Sequence, residues 1–118
     1  MESVQFISCE DDGTDQIVSF ALAYGEMEIR SLTLLRTPKY EAMLDEAERG
    51  VSVSLVDETG DDDHLLEVIR IEASRVKIET QSSKYDLDVS QVDPAEVSEM
   101  KALIGRMNFD NRFRIENI

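Results

Sequence analysis

Val18, Phe20, Leu22 and Tyr24 alternate with Ser19, Ala21 and Ala23, a period of two that a β-strand converts into one apolar face and one small or polar face. The same alternation returns in Val51, Val53 and Leu55 against Ser52 and Ser54, in Val76 and Ile78 between Arg75, Lys77 and Glu79, and in Tyr85, Leu87 and Val89 around Asp86 and Asp88. Short runs of this kind confine the chain to a sheet of short strands and exclude a helical bundle. Strands are expected over residues 4–8, 17–24, 29–36, 51–55, 65–72, 75–80 and 85–89. Asp12-Gly13 lies between the first two, a pair that tolerates the positive φ of a hairpin turn. In the third, Leu32 and Leu34 are in line with Arg30 and Arg36, which places the two arginines at strand ends within reach of water. Residues 65–72 are apolar on both alternations, Leu65, Ile69 and Ile71 against Leu66 and Val68, and read as a central strand covered on both sides for part of its length.

Two helices interrupt the strands. Asp93-Pro94-Ala95-Glu96 supplies an N-cap, a proline in the first turn and a glutamate three residues after the cap, a capping box. Val92 and Val97 add a hydrophobic staple, and Val97, Met100, Leu103, Ile104 and Met107 form the buried face up to an end near Asn108. Thr37-Pro38 and Gly50 bracket a second helix over residues 38–49. Its stripe is Tyr40, Met43, Leu44 and Ala47, and its outward face carries Glu41, Asp45, Glu46 and Glu48. The order β-β-β-α-β-β-β-β-α, with short connections, predicts an α+β domain: a mostly antiparallel sheet of about seven strands packed with two helices. One domain is expected over residues 1–118, with its core over about 4–109 and a tail, 110–118, in which Arg112 to Ile115 alternate as an edge strand or a frayed end.

The charge sets the partners. The 118 residues carry 26 acids and 12 bases, a net charge of -14, which repels phosphate backbones and anionic lipid surfaces and favours a basic partner. Residues 1–66 hold 16 of the acids and 4 of the bases. The expected binding side joins two acidic turns, Glu10, Asp11, Asp12 and Asp15 in the hairpin with Asp57, Glu58, Asp61, Asp62 and Asp63 in the loop over 57–63, to the acidic face of the first helix. Against this stands ordinary solubility of a small acidic protein. A lone Cys9, an N-terminus without a signal-peptide pattern and apolar runs too short for a membrane span make the cytoplasm the expected compartment.

No residue pattern calls for catalysis or a cofactor. His64, the one histidine, stands at the edge of the acidic loop, where the plain reading is a solvated side chain. Cys9 ends the first strand next to Glu10, and a neighbouring carboxylate raises a thiol pKa rather than activating it. Glu67 and Glu72 interrupt the apolar fifth strand as outward positions. Counted from Asp57, the sixth residue of a calcium loop would be Asp62 in place of glycine and the twelfth Val68 in place of glutamate, so an EF-hand is excluded. Metal and cofactor sites are expected to be absent.

The opening Glu10-Asp11-Asp12-Gly13 with Ile17-Val18-Ser19-Phe20-Ala21, the run Leu32-Thr33-Leu34-Leu35-Arg36, the strands of residues 67–78 and the terminal Met107-Asn108-Phe109 resemble the immunity protein 10 family of bacterial polymorphic-toxin systems, over roughly residues 4–109. The resemblance implies a non-catalytic protein that binds a cognate toxin and blocks it. Toxins of such systems are often nucleases with basic substrate sites, which an acidic face would fit. Two other readings stay open: a small acidic chaperone for a secreted effector, which a firm homodimer would favour, and a protein-binding module of another kind.

Overall fold

The structure, a computed structural model, describes residues 2–24, 28–55, 64–81 and 83–117; of Tyr24, Glu28, Ala47, Leu55, His64 and Asn117 it describes the backbone alone. The fold is α+β. Strands β1 (Glu2–Asp11), β2 (Gln16–Tyr24), β3 (Glu28–Arg36), β4 (Ser52–Leu55), β5 (His64–Ile71), β6 (Arg75–Thr80) and β7 (Lys84–Asp88) precede the helix α1 (Pro94–Met107) and a last strand, β8 (Arg114–Asn117). They form one sheet of eight strands in the order β4-β3-β2-β1-β7-β6-β5-β8, and β4 also pairs with β5. β1 to β7 therefore close into a ring, with β8 added outside it along β5.

Closure depends on two strands that change partners along their length. β1 gives Glu2 and Ser3 to a parallel pairing with Leu87 and Asp88 of β7, then pairs antiparallel with β2 from Val4 onward, with a bulge between Val4 and Phe6. β5 pairs its first two residues with Val53 and Ser52 of β4, the rest with β6, and Val68 to Ile71 in parallel with β8, with a bulge between Leu66 and Val68. A bulge bends its strand and shifts the side-chain parity by one. That shift accounts for the double alternation in residues 65–72. Leu66 faces the core before the bulge and Ile69 and Ile71 face it after, while Glu67 is exposed. The strand is thus not covered on both sides as its sequence suggested; it has one inner face that changes parity. Val4 and Ile7, both buried, do the same in β1.

The core is the inside of this ring, filled by Phe20, Leu22, Leu32, Leu34, Ile69, Ile78 and Leu87, with α1 packed on β1 and β2 and contributing Met100, Leu103, Ile104 and Met107. The start of α1 follows its sequence signals in part. Asp93 Oδ1 accepts from Ala95 N at 2.9 Å and Val92 is buried. The glutamate of the capping box does not turn back to the cap: Glu96 Oε1 accepts the backbone N–H of Ile7 at 2.8 Å, close to the β1 bulge. A sheet N–H without a strand partner takes the nearest acceptor, and here α1 supplies it.

The segment after β3 departs from its expected form. Residues 38–49 do not form the one expected helix: they hold two 3-10 turns, Pro38–Met43 and Glu46–Glu48, with Leu44 and Asp45 extended between them. Thr37 makes no side-chain cap; its hydroxyl donates to Asp15 Oδ1 at 2.8 Å. The orientation is inverted as well. Glu41, expected outside, is buried, while Tyr40, Met43 and Leu44 are 49%, 84% and 41% exposed. No helix among the described residues is long and apolar enough to cross a membrane.

Candidate protein-binding face

Arg36 explains the inversion. Because β3 sends Leu32, Leu34 and Arg36 to the same side, the arginine points into the ring rather than to water, and its side chain is 0% exposed. A buried guanidinium is tolerable only when its donors are met. Nε and Nη2 donate to Oε2 and Oε1 of Glu41, each at 2.8 Å; Nη1 and Nη2 donate to Oδ1 and Oδ2 of Asp110, each at 2.9 Å; Nη1 also donates to the carbonyl of Met107 at 2.6 Å. All five N–H groups of the side chain are used in two forks and one carbonyl bond. The Phe109 ring lies over the guanidinium at 4.2 Å. Glu41 is drawn inward to this cluster, and the turn that carries it must show its other residues, Tyr40 and Met43, to solvent.

Asp110 is held down to about pKa 2 by its bond to Arg36, reinforced by Arg112, whose Nε donates to Oδ2 at 2.7 Å. A carboxyl with a folded-state pKa below its unfolded value of about 3.9 adds stability that is complete above that value and lost as pH falls toward 2. The melting temperature should therefore fall more steeply between about pH 4 and 2 in the wild type than in Asp110→Asn. Equal slopes in a thermal scan by circular dichroism would exclude the contribution.

The hairpin carboxylates stand beside this cluster, and three of the four serve the chain itself. Asp11 Oδ1 accepts from Gly13 N at 3.3 Å and its Oδ2 from Arg106 Nε at 3.2 Å. Asp12 Oδ1 accepts from the backbone N–H groups of Thr14 at 2.9 Å and Asp15 at 2.8 Å, which hold its carboxyl below the usual range, and Gly13 takes the positive φ of 85°. Asp15 is tied to Thr37 as above, and Glu10 is exposed at the end of β1. Asp57, Glu58, Asp61, Asp62 and Asp63 lie outside the described residues, as does the side chain of His64.

The Asp15–Thr37 bond joins the hairpin to the 3-10 segment, so Glu10, Asp11 and Asp12 lie at the same end of the molecule as exposed Asp45, Glu46 and Glu48. Between β3 and the first 3-10 turn is a hollow of about 220 Å³ lined in part by Leu35, Tyr40 and Leu44, over the Arg36–Glu41 pair. A wider cleft of about 770 Å³ runs between Gly50, Leu65 and Asn111. Its arginines are engaged: Arg112 Nη1 donates to the carbonyl of Glu46 at 2.8 Å, and Arg49 Nη2 to that of Leu44 at 3.2 Å.

Nucleophilic chemistry finds no support at Cys9. Its thiol is pushed up to about 11, first by burial and then by Glu99 and Glu96, so it is protonated at neutral pH. Glu67 is an exposed position of β5, whereas Glu72, expected inside the same strand, is half-buried and lies just past its end at Ile71. Among the described residues no group of three or more His, Cys, Asp or Glu is placed to hold a metal ion. Neither protein-family models, nor curated proteins, nor solved structures give a match to this chain.

Sequence reasoning assigned Tyr40, Met43 and Leu44 to the core and Arg36 and Glu41 to the surface, and the structure reverses all five. One signal was present: Arg36 shares the parity of Leu32 and Leu34, so a continuous strand must turn it inward.

Proposed function

We propose that this protein is a non-catalytic binding protein that captures a basic protein partner, and that the partner is a cognate toxin, as the likeness to bacterial immunity proteins implies. The observation that carries the reading is the outward-facing apolar group Leu35, Tyr40, Met43 and Leu44 bordered by Asp45, Glu46 and Glu48, with Glu10, Asp11 and Asp12 at the same end. A folded monomer exposes clustered large apolar side chains where something covers them, and protein interfaces combine an apolar centre with a polar rim. The acidic rim steers a basic partner and speeds encounter. If the toxin is a nuclease, the same rim stands in for phosphate at its substrate groove.

Co-expression with the toxin encoded beside it should yield a complex that survives purification and abolishes toxicity. The variant Asp45→Lys, Glu46→Lys, Glu48→Lys should weaken association at least tenfold and flatten its dependence on salt. Failure of the wild type to form a complex, or unchanged affinity and salt dependence in the triple variant, would sink the reading. The exposed hollow also favours the second reading, an acidic chaperone for a secreted effector. Light scattering coupled to size exclusion separates the two, because a firm dimer is expected of the chaperone and a monomer of the toxin inhibitor.

A further inference from the structure

Resting on the reading of a basic protein partner, we infer that the hollow between β3 and the first 3-10 turn seats one large apolar side chain, phenylalanine or leucine, that the partner presents between lysines or arginines. At about 220 Å³, the hollow is below the roughly 300–1,000 Å³ of clefts that take small molecules, and its size suits a single side chain. Leu35, Tyr40 and Leu44 supply apolar walls. The floor is pre-organised: Glu41 is fixed in two bonds to Arg36, and the turn is closed by Tyr40 N to the Thr37 carbonyl at 3.1 Å and Leu44 N to the Glu41 carbonyl at 3.0 Å. A seat that is already shaped loses little freedom when it is filled, so the contact area is turned into affinity with small loss.

The surroundings specify what flanks the anchor. Exposed Asp45, Glu46 and Glu48 follow directly on Leu44, and the side chain of Glu46 is 86% exposed. Glu48 lines the hollow itself, and with Asp45 and Glu46 beside it sets carboxylates next to an inserted apolar group, where the partner's cations meet them. Tyr40 adds a second cation contact, since its ring already has the Lys39 ammonium at 5.8 Å from its centroid. That separation is close to the limit of about 6 Å for such pairs, so a partner's lysine or arginine approaching more closely displaces a weak contact. An acidic or wholly apolar partner segment gains neither interaction and meets repulsion at the rim.

Three capped synthetic nonapeptides test the seat on the full-length protein: phenylalanine centred among lysines, serine centred among lysines, and phenylalanine centred among glutamates. In a titration followed by amide NMR shifts, the lysine-phenylalanine peptide should bind at least about tenfold more tightly than its serine counterpart, with the largest shifts at Leu35, Tyr40, Leu44 and Ser52. The glutamate peptide should not bind. The variant Leu44→Gln, which alters an apolar wall and no cation contact, should remove most of the advantage of phenylalanine while leaving the affinity for the serine peptide unchanged. Equal binding of the two lysine peptides, or shifts that map elsewhere on the molecule, would overturn the seat and leave the basic partner standing. Absence of binding by either lysine peptide would overturn both.

Discussion

Replacing Arg36 with methionine should lower stability by about 3–5 kcal/mol and the melting temperature by on the order of 10–20 °C. The loss does not come from charge attraction alone. Methionine fills much of the same space, but it takes from the buried Glu41 carboxylate and from the Asp110 carboxylate the four N–H bonds that Arg36 gives them, and from the Met107 carbonyl the fifth, and a buried charge stripped of its partner is among the most destabilising groups a fold can hold. Lysine should rescue little, because three donors on one atom cannot form two forks at once. Adding Glu41→Leu and Asp110→Asn to Arg36→Met should recover a large part of the loss, as replacement of a whole buried ionic group by apolar or neutral ones is often close to neutral. Urea unfolding of the single and triple variants measures both. A loss below about 1 kcal/mol for Arg36→Met would mean that the carboxylates reach water when the arginine is gone.

The second large effect separates two methionines. Met107→Ala should cost about 2–5 kcal/mol, since its side chain is 0% exposed in the packed face of α1 and its removal leaves a cavity. Met43→Ala should change stability by less than about 0.5 kcal/mol, because at 84% exposure the side chain has little burial to lose. Binding of the proposed basic partner should respond in the opposite order, with Met43→Ala weakening the complex while the folded fraction of Met107→Ala binds normally. Equal losses of stability in the two variants would place Met43 in the core and remove the basis for the binding face.

These two residues also show why part of the fold was legible and part was not. Met107 belongs to a segment in which the Asp93 cap, Pro94, the Val92–Val97 staple and a period of 3.6 agree, and local signals that agree describe the helix from its own sequence. Met43 belongs to a stripe with the same period, but there the outcome is decided at long range: Arg36 pulls Glu41 inward, Gly50 N donates to the same Glu41 carboxylate at 3.3 Å, and the segment settles into short turns with the stripe outside. Period-two strands were legible for the same local reason as α1. The closure of the ring was not, because the pairing of β1 with β7 joins segments 85 residues apart, and the bulges that let β1 and β5 change partners appear in sequence only as apolar residues of both parities at Val4 and Ile7 and at Leu66 and Ile69. The hairpin acids are a cluster in the sequence itself. That Asp11, Asp12 and Asp15 would be bound to the chain's own groups depends on Arg106 and Thr37 as well as the turn, and the first of these lies 95 residues away.

The Arg36 cluster has a temporal side. Its two forks differ in reach: Glu41 is 5 residues from Arg36 along the chain, whereas the Met107 carbonyl and Asp110 are 71 and 74 residues away. The nearer fork can form as soon as β3 and its following turn exist, but the farther one needs the finished ring and the docked end of α1. Contacts of such separation come late on the folding path. Arg36 is then expected to work as a latch, its farther fork closing after the barrier is crossed. Its loss would leave the rate of assembly nearly unchanged and show itself in how quickly the finished molecule comes apart.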